Sequence, residues 1–298
     1  MSQQMNVGFS HQLGKDYVLE ADYTHMLNIR ESRRNELNPK ISGGARLLAA
    51  AFTAAGEPGA LARVTRETSV NRSRYDGLNI GMRKRLSHRM SFQTSYNLSK
   101  AQGWGGCTGE FGCRATYNQF NIFDPREYGP TGRDERHRFV FSGVFDLPWG
   151  FQVNPIIQMA SARPYTAVDG TDVNQDGRNN DLCVANQDYG GGRVCPSNIF
   201  INSLRGGYDL DGNKVSGRLF VMDLRATKVF SLSKLREGMN VAFYFESFNL
   251  TNRTNFGNNF SGNLRSSQYQ VTQGLATGTY GIVVAAPYQA QLGFRFTF

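Results

Sequence analysis

The sequence predicts an all-β chain, the wall of an antiparallel transmembrane β-barrel with long loops at one rim. Three observations predict it. Apolar and polar residues alternate with a period of two in nine separate segments, the mark of strands with one oily and one polar face. The connections between those segments run short, long, short, long without exception. The longest helix-like apolar stretch, ARLLAAAFTAA from Ala45 to Ala55, is far shorter than the ~20 residues a membrane helix needs.

The segments follow in order. QMNVGFSH (4–11) places Met5, Val7 and Phe9 on one face. YVLEADYTH (17–25) sets Tyr17, Leu19, Ala21 and Tyr23 against Glu20, Asp22 and Thr24. YDGLNIGMR (75–83) and RMSFQTSYNLS (89–99) carry Leu78, Ile80, Met82 and Met90, Phe92, Tyr96, Leu98 on their apolar faces. RFVFSGVFDL (138–147) opposes Phe139, Phe141 and Phe145 to Arg138, Ser142 and Asp146. FQVNPIIQMA (151–160) alternates Phe151, Val153, Ile157 and Met159 with Gln152, Asn154 and Gln158. LFVMDLRATKVF (219–230) turns Phe220, Met222 and Leu224 away from Asp223, Arg225 and Thr227. MNVAFYFESFNL (239–250) begins with Val241, Phe243 and Phe245 and loses its alternation at Ser247 and Phe248. The last, QAQLGFRFTF (289–298), has an apolar residue at every second position and ends on Phe298.

Short connections fall at 12–16, 85–88, 147–150 and 231–238, and long ones at 27–71, 101–133, 164–216 and 252–281. Compact soluble domains rarely hold several structureless loops of such length. Outer-membrane barrels have short periplasmic turns and long extracellular loops as a rule. An exposed strand as apolar as the last one invites aggregation. In a barrel its oily face meets lipid and closure removes the edge. The polar faces then line a lumen, where Arg225, Glu246 and Arg295 are candidate lining residues with salt bridging as their structural alternative. Single-chain bacterial barrels have even strand numbers, whereas nine is odd, and MSQQMNVGFSHQ has neither the basic start nor the apolar run of a signal peptide. The expectation is therefore that residues 1–298 form the C-terminal portion of a larger barrel domain, with plug domain and signal peptide absent.

Composition narrows the function. Net charge is +9, but the densest basic runs, MRKRLSHR (82–89) and RDERHR (133–138), sit at strand ends among turn and acidic residues. Nucleic acid would need a clustered basic stripe, so none is expected as a partner. Mean hydropathy is −0.44, which leaves a soluble β-sandwich as the structural rival. No GxSxG, HExxH or GxxxxGK[ST] occurs, and the expectation is that the chain is not an enzyme. His88 and His137 read as solvated or lumen-facing rather than catalytic.

Four cysteines form two local pairs, Cys107 with Cys113 and Cys183 with Cys195, each inside one long loop. Outside the reducing cytosol, such pairs read as disulfides that staple loops; neither pair has the short gap of a zinc site. DVNQDGRNND (172–181) alternates Asp172, Asn174 and Asp176 ahead of Gly177, like the first half of a calcium loop. Cys183 stands where the bidentate Glu would be, and Asp181 is the available substitute. The alternative is an Asn/Asp/Gly turn bonded to its own backbone. A structural calcium is thus the one cofactor entertained. DPREYGPTGRDERHRF (124–139) packs acids and bases densely, as a salt-bridged loop base or as a ligand-contacting surface.

Together these segments resemble a known family. DPREYGPTGRDERHRFVFSGVFDLPWG, ASARPYTAVDGTDVNQDGRNND (160–181), MDLRATKVF (222–230), FESFNLTNRTNFG (245–257) and APYQAQLGFRFTF (286–298) resemble, in order, the late barrel of TonB-dependent outer-membrane receptors, particularly the Oar-like group. The likeness covers roughly residues 70 to 298 and implies a 22-stranded barrel, of which this chain holds about nine strands. It also implies outer-membrane location in a Gram-negative-type bacterium and energy-coupled uptake of an extracellular ligand. The implied partners are outer-membrane lipid, the TonB complex through an amino-terminal part, and the barrel assembly machinery through the strand ending at Phe298. An adhesion or surface-interaction barrel without transport is the alternative function. The ligand itself is not legible.

Overall fold

A computed structural model describes residues 1–57, 63–105, 116–234, 236–257, 260–274 and 286–298. The first seven strands are β1 (Ser2–Leu13), β2 (Tyr17–Glu36), β3 (Thr65–Ser87), β4 (Met90–Trp104), β5 (Tyr128–Pro130), β6 (His137–Leu147) and β7 (Phe151–Ala160). Four two-residue pieces follow within one long loop: β8 (Pro164–Tyr165), β9 (Leu204–Arg205), β10 (Gly207–Tyr208) and β11 (Lys214–Val215). The chain then completes β12 (Leu219–Ser231), β13 (Asn240–Phe248) and β14 (Gln289–Thr297). The nine long strands form one meander in the order β1-β2-β3-β4-β6-β7-β12-β13-β14, with β5 added beside the top of β4. Every long pair is antiparallel. This is the all-β architecture expected, and closure of the wall into a ring is not seen in it. No helix is long and apolar enough to cross a membrane among the described residues; ARLLAAAFTAA yields only the short helix Ala49–Ala54 with nothing buried.

Register turns the period-two pattern into two continuous surfaces. Phe9, Ala21, Ile80, Tyr96, Phe139, Met159 and Phe220 pair in one row across seven strands. Phe145, Val153, Ala226, Phe245 and Leu292 form a second row. A one-residue slip would throw every one of these side chains to the polar side. The band is bare of protein: Leu292 is 83% exposed, which water would tolerate badly and lipid favours by about 1.5–3 kcal/mol per large side chain.

The short turns are tight. Gly14, at φ 65, lies in the turn between β1 and β2. His88 and Arg89 both adopt positive φ between the paired Ser87 and Met90, the geometry of a two-residue hairpin normally given to Asn-Gly. Near the same rim Lys228 donates to the carbonyl of Trp149 and lies over the Phe151 ring at 4.4 Å. The lysine thereby carries its charge to the interface along an apolar stem.

At the other rim the strands outrun the sequence pattern. β2 continues to Glu36 and β3 begins at Thr65, inside what the alternation marks as a loop. Above the bilayer neither face needs to be apolar, so the period-two signal stops while the backbone pairing does not. The hydrophobic core also sits there, in the loops rather than behind the sheet. Ala167, Leu182, Cys183, Cys195, Ile199, Ile201 and Leu264 cluster together, backed by Tyr117, Tyr189, Leu204 and Tyr269.

Candidate functional site

The inner face of the wall is polar, and its charges are braced across strands. Arg225 on β12 stands opposite Glu246 on β13. Their side chains meet at 3.2 Å, Arg225 lies over the Tyr244 ring at 4.3 Å, and Gln291 donates to the same carboxylate from β14. Farther round, Arg83 reaches Glu20 at 3.3 Å and Ser95 donates to Asn79 at 2.8 Å. Glu20, Asn79, Arg83, Gln93 and Ser142 bound a shallow concavity of about 250 Å³. Arg295 is on this face too, opposite Ala242. It is exposed, and its side chain makes no ion pair or hydrogen bond among the described residues.

Above the wall the long loops form a cap held by buried charge. Arg33, carried past the bilayer on β2, meets Glu127 at 2.6 Å with both side chains essentially solvent-free. Arg33 also donates to the Ile122 carbonyl at 2.7 Å. Glu127 accepts in addition from the amides of Tyr117 at 3.0 Å and Asn118 at 2.6 Å. Burial pushes the Glu127 carboxyl up to about 7, while Arg33 and the two amides pull against that rise.

The acid-and-base segment around it is a salt-bridged loop base. Asp124 receives the amide and guanidinium of Arg126 at 3.0 and 2.8 Å, and that guanidinium holds its carboxyl down to about 2. Asp134 takes the Ala101 amide at 2.8 Å and Arg205 at 2.5 Å. Glu135 pairs with Arg138 at 2.9 Å and Arg163 at 2.7 Å. Asp169 gathers Arg265 at 2.8 Å and the Tyr189 hydroxyl at 2.6 Å. Burial works to raise the Asp169 carboxyl, but these donors bring it below its ordinary value.

Two loops knit directly. Val168 bridges to Asn263, and Tyr208 to Val271. A Cβ on Gly262 would sit 2.0 Å from the Thr166 carbonyl oxygen, and one on Gly207 would sit 2.0 Å from that of Gln270. Only glycine permits backbones to approach this closely.

The sequence-derived candidates fall into this frame. Cys183 and Cys195 are disulfide-bonded, twelve residues apart, within the loop core. Cys107 and Cys113 lie outside the described residues. Asp172, Asn174, Asp176 and Asp181 share one turn. Asp172 accepts from the Gly177 amide at 2.8 Å, Asn174 from the Asp176 amide at 3.0 Å, and Asp176 from Arg178 and Gln119 amides, each at 3.0 Å. Asp181 takes the amides of Val173 at 2.6 Å and Asn174 at 3.1 Å. Burial, aided by the charges of Asp176 and Asp172, pushes the Asp181 carboxyl up to about 6 against those amides. The second oxygen of Asp172 is buried with no hydrogen-bond partner. Among the described residues no three His, Cys, Asp or Glu side chains are grouped to share an ion. Arg33, Glu127, Asp134 and Arg205 were not legible as a set, because pairs as distant in sequence as Asp134 and Arg205 meet only through the sheet's register.

With wall and cap in view, a comparison with known families decides the kind of molecule. The model of the outer membrane beta barrel domain matches residues 1–284. The chain belongs to that family. The barrel domain is accordingly an outer-membrane protein, its apolar rows facing lipid. None of the curated proteins matches it in sequence. Among solved structures, the outer membrane transporter YddB from Escherichia coli superposes with a TM-score of 0.51 at 11% identity, over 99% of this chain and 32% of that one. The ferric-catecholate import receptor Fiu from E. coli K12 follows at 0.45 and 10%, over 99% and 26%. The barrel domain spans about a third of the length of the first and a quarter of the second.

Proposed function

We propose that this chain forms the late barrel wall of a TonB-dependent receptor of the Oar-like group, which takes up an extracellular ligand with energy from the inner membrane. The observation that carries the reading is a polar, cross-braced inner wall under a cap of knitted outer loops. The cap offers the capture surface, and the wall offers Arg225, Glu246 and the unpaired Arg295 to whatever fills the lumen. The ordered run of motifs from Asp124 to Phe298 supports the group, and the fold shared with an outer membrane transporter agrees with it. The partners in this reading are a plug inside the wall, the TonB complex beneath it, lipid around it, and the assembly machinery reading the strand that ends at Phe298.

The experiment is uptake of material from spent medium by cells with and without TonB, compared with a strain lacking this protein. Loss of the same solute in both mutants supports the reading. If cells lacking the protein lose surface attachment while uptake is intact, the chain is an adhesion barrel. For the 172–181 turn we propose the backbone-bonded form, in which Asp172, Asn174, Asp176 and Asp181 accept the turn's own amides and that of Gln119; binding of Ca²⁺ at millimolar concentration with protection of these amides would assign the turn a structural calcium instead.

A further inference from the structure

Just above the outward apolar band, the pairing of β2 with β3 breaks twice, between Ile29 and Glu31 and between Glu31 and Ser32. Arg30 and Val70 are left out of the ladder, and Arg30 takes a left-handed φ of 59°. Bulges of this kind re-aim side chains, and a left-handed non-glycine residue is held there by its surroundings at some expense. A cavity of about 560 Å³ opens at this point, lined by Ile29, Arg30, Val70, Arg72, Trp104 and Phe123.

Register fixes the side it faces. Leu98 pairs with Leu78 and Leu78 with Tyr23, all on the lipid-facing surface. Climbing β3 on that face from Leu78, the next residues are Asp76, Arg74 and Arg72; on β4, climbing from Leu98, they are Lys100, Gln102 and Trp104. Six residues of a tilted strand rise ~15 Å. The notch therefore lies on the outside of the wall, beyond the hydrocarbon and within reach of large outer-leaflet headgroups. It faces away from the lumen.

Its charge is uncompensated. Asp76 is the acid in the column, and it is already engaged by Tyr23 at 2.8 Å, His25 at 2.8 Å and Arg74 at 2.6 Å. Arg30, Arg72 and Lys100 are exposed, and their side chains have no ion pair or hydrogen bond among the described residues. Beside the arginines Trp104 packs edge-on to Phe123 at 5.2 Å and against Tyr128 at 5.3 Å. Guanidinium groups match phosphate oxygens in pairs, and basic pockets at a membrane surface bind anionic headgroups. Flat aromatic faces suit the C–H face of a sugar ring. The notch thus combines two free guanidiniums with an aromatic floor, at a height where a phosphorylated sugar would be presented.

We propose that this outward notch holds the phosphorylated sugar headgroup of an outer-leaflet glycolipid, Arg30 and Arg72 taking the phosphate and Trp104 with Phe123 the sugar face. This is independent of uptake and requires only the outer-membrane location. The test uses the full-length protein extracted from its own outer membrane in mild detergent. Its binding is measured to immobilised phosphorylated lipid A bearing inner-core sugars, to the same lipid after enzymatic dephosphorylation, and in competition with inorganic phosphate. Arg72→Gln should weaken binding at least tenfold, and dephosphorylation should weaken wild-type binding to the same degree. Arg30→Gly is the decisive variant, because glycine suits the left-handed backbone and folding is spared. It should bind at least fivefold more weakly while its heat-modifiable gel mobility is unchanged. Arg85→Ala, at the periplasmic rim, should bind as wild type does. The proposal is overturned if folded Arg30→Gly and Arg72→Gln both bind within twofold of wild type. It is equally overturned if millimolar inorganic phosphate displaces the lipid completely, which would make free phosphate the ligand.

Discussion

Replacing Glu127 by alanine should loosen the loop cap without disturbing the wall. The carboxylate serves Arg33 at 2.6 Å, out of solvent, and the amides of half-buried Tyr117 and Asn118 at 3.0 and 2.6 Å. Removing one partner of a buried ion pair costs about 3–5 kcal/mol because a charge is stranded. Each orphaned amide adds about 1–3 kcal/mol where water cannot reach it. Water will enter the space left by the side chain and recover part of this, so about 4 kcal/mol is expected, a shift of roughly a thousandfold in the local opening equilibrium. Hydrogen exchange reads that equilibrium directly. The amides of Tyr117 and Asn118 should exchange at least a hundredfold faster in the variant, while amides of Phe141 and Tyr244 in the wall are unmoved. Glu127→Gln keeps one acceptor oxygen and should fall between. If the Tyr117 and Asn118 amides of Glu127→Ala exchange within threefold of wild type, the buried pair is not what holds the cap.

Other outcomes can be measured on the same protein. Opening the Cys183–Cys195 bridge, whose cysteines are twelve residues apart, should destabilise the loop core by ~3 kcal/mol on the chain-entropy estimate, seen as faster proteolysis around residues 183–195 under reductant. Asp181 has its carboxyl raised from 3.8 to about 6, so protonation favours the folded turn. That contribution is complete below pH 3.8 and is lost as pH rises through 6, about 3 kcal/mol in all. Rate-corrected protection of the Val173 and Asn174 amides should fall between about pH 4 and 6 and level off above that, and Asp181→Asn should flatten the profile. Leu292→Arg, on the lipid face, should cost about 2–4 kcal/mol in refolding from urea into vesicles, whereas Gln291→Arg next to it should change little. Arg225→Ala removes a half-exposed pair and should lower stability by no more than about 1 kcal/mol.

What could be read from sequence follows the bilayer. Wherever a strand crosses hydrocarbon, one face must be apolar, and Phe139, Phe141 and Phe145 or Leu292, Phe294 and Phe296 announce it. The nine strands and their order were legible on that account. Above the membrane the constraint lapses. Residues 26–36 and 65–74 continue as paired strands, yet Arg33, Arg34, Asn35 and Glu36 carry no alternation to reveal it. Arg225 and Glu246 could be named as candidates because each lies at a polar position of a clear strand, but their pairing comes from the register of β12 with β13. Arg33–Glu127 was not, since ninety-four positions separate the two and only the folded register brings them together. The local cysteine pair at 183 and 195 needed no register, being joined within a single loop.

The two tryptophans of the chain stand at opposite ends of the wall. Trp104 lies in the aromatic cluster above the outer edge of the apolar band, and Trp149, 84% exposed, lies in the periplasmic turn between β6 and β7. These 298 residues therefore carry a pair of fluorophores, one for each leaflet. With either replaced by phenylalanine, quenching by lipids brominated at a chosen acyl depth would time the arrival of each rim separately. Whether the hairpin β6–β7 crosses turn-first or is drawn in beside its neighbours could then be watched without attaching a label.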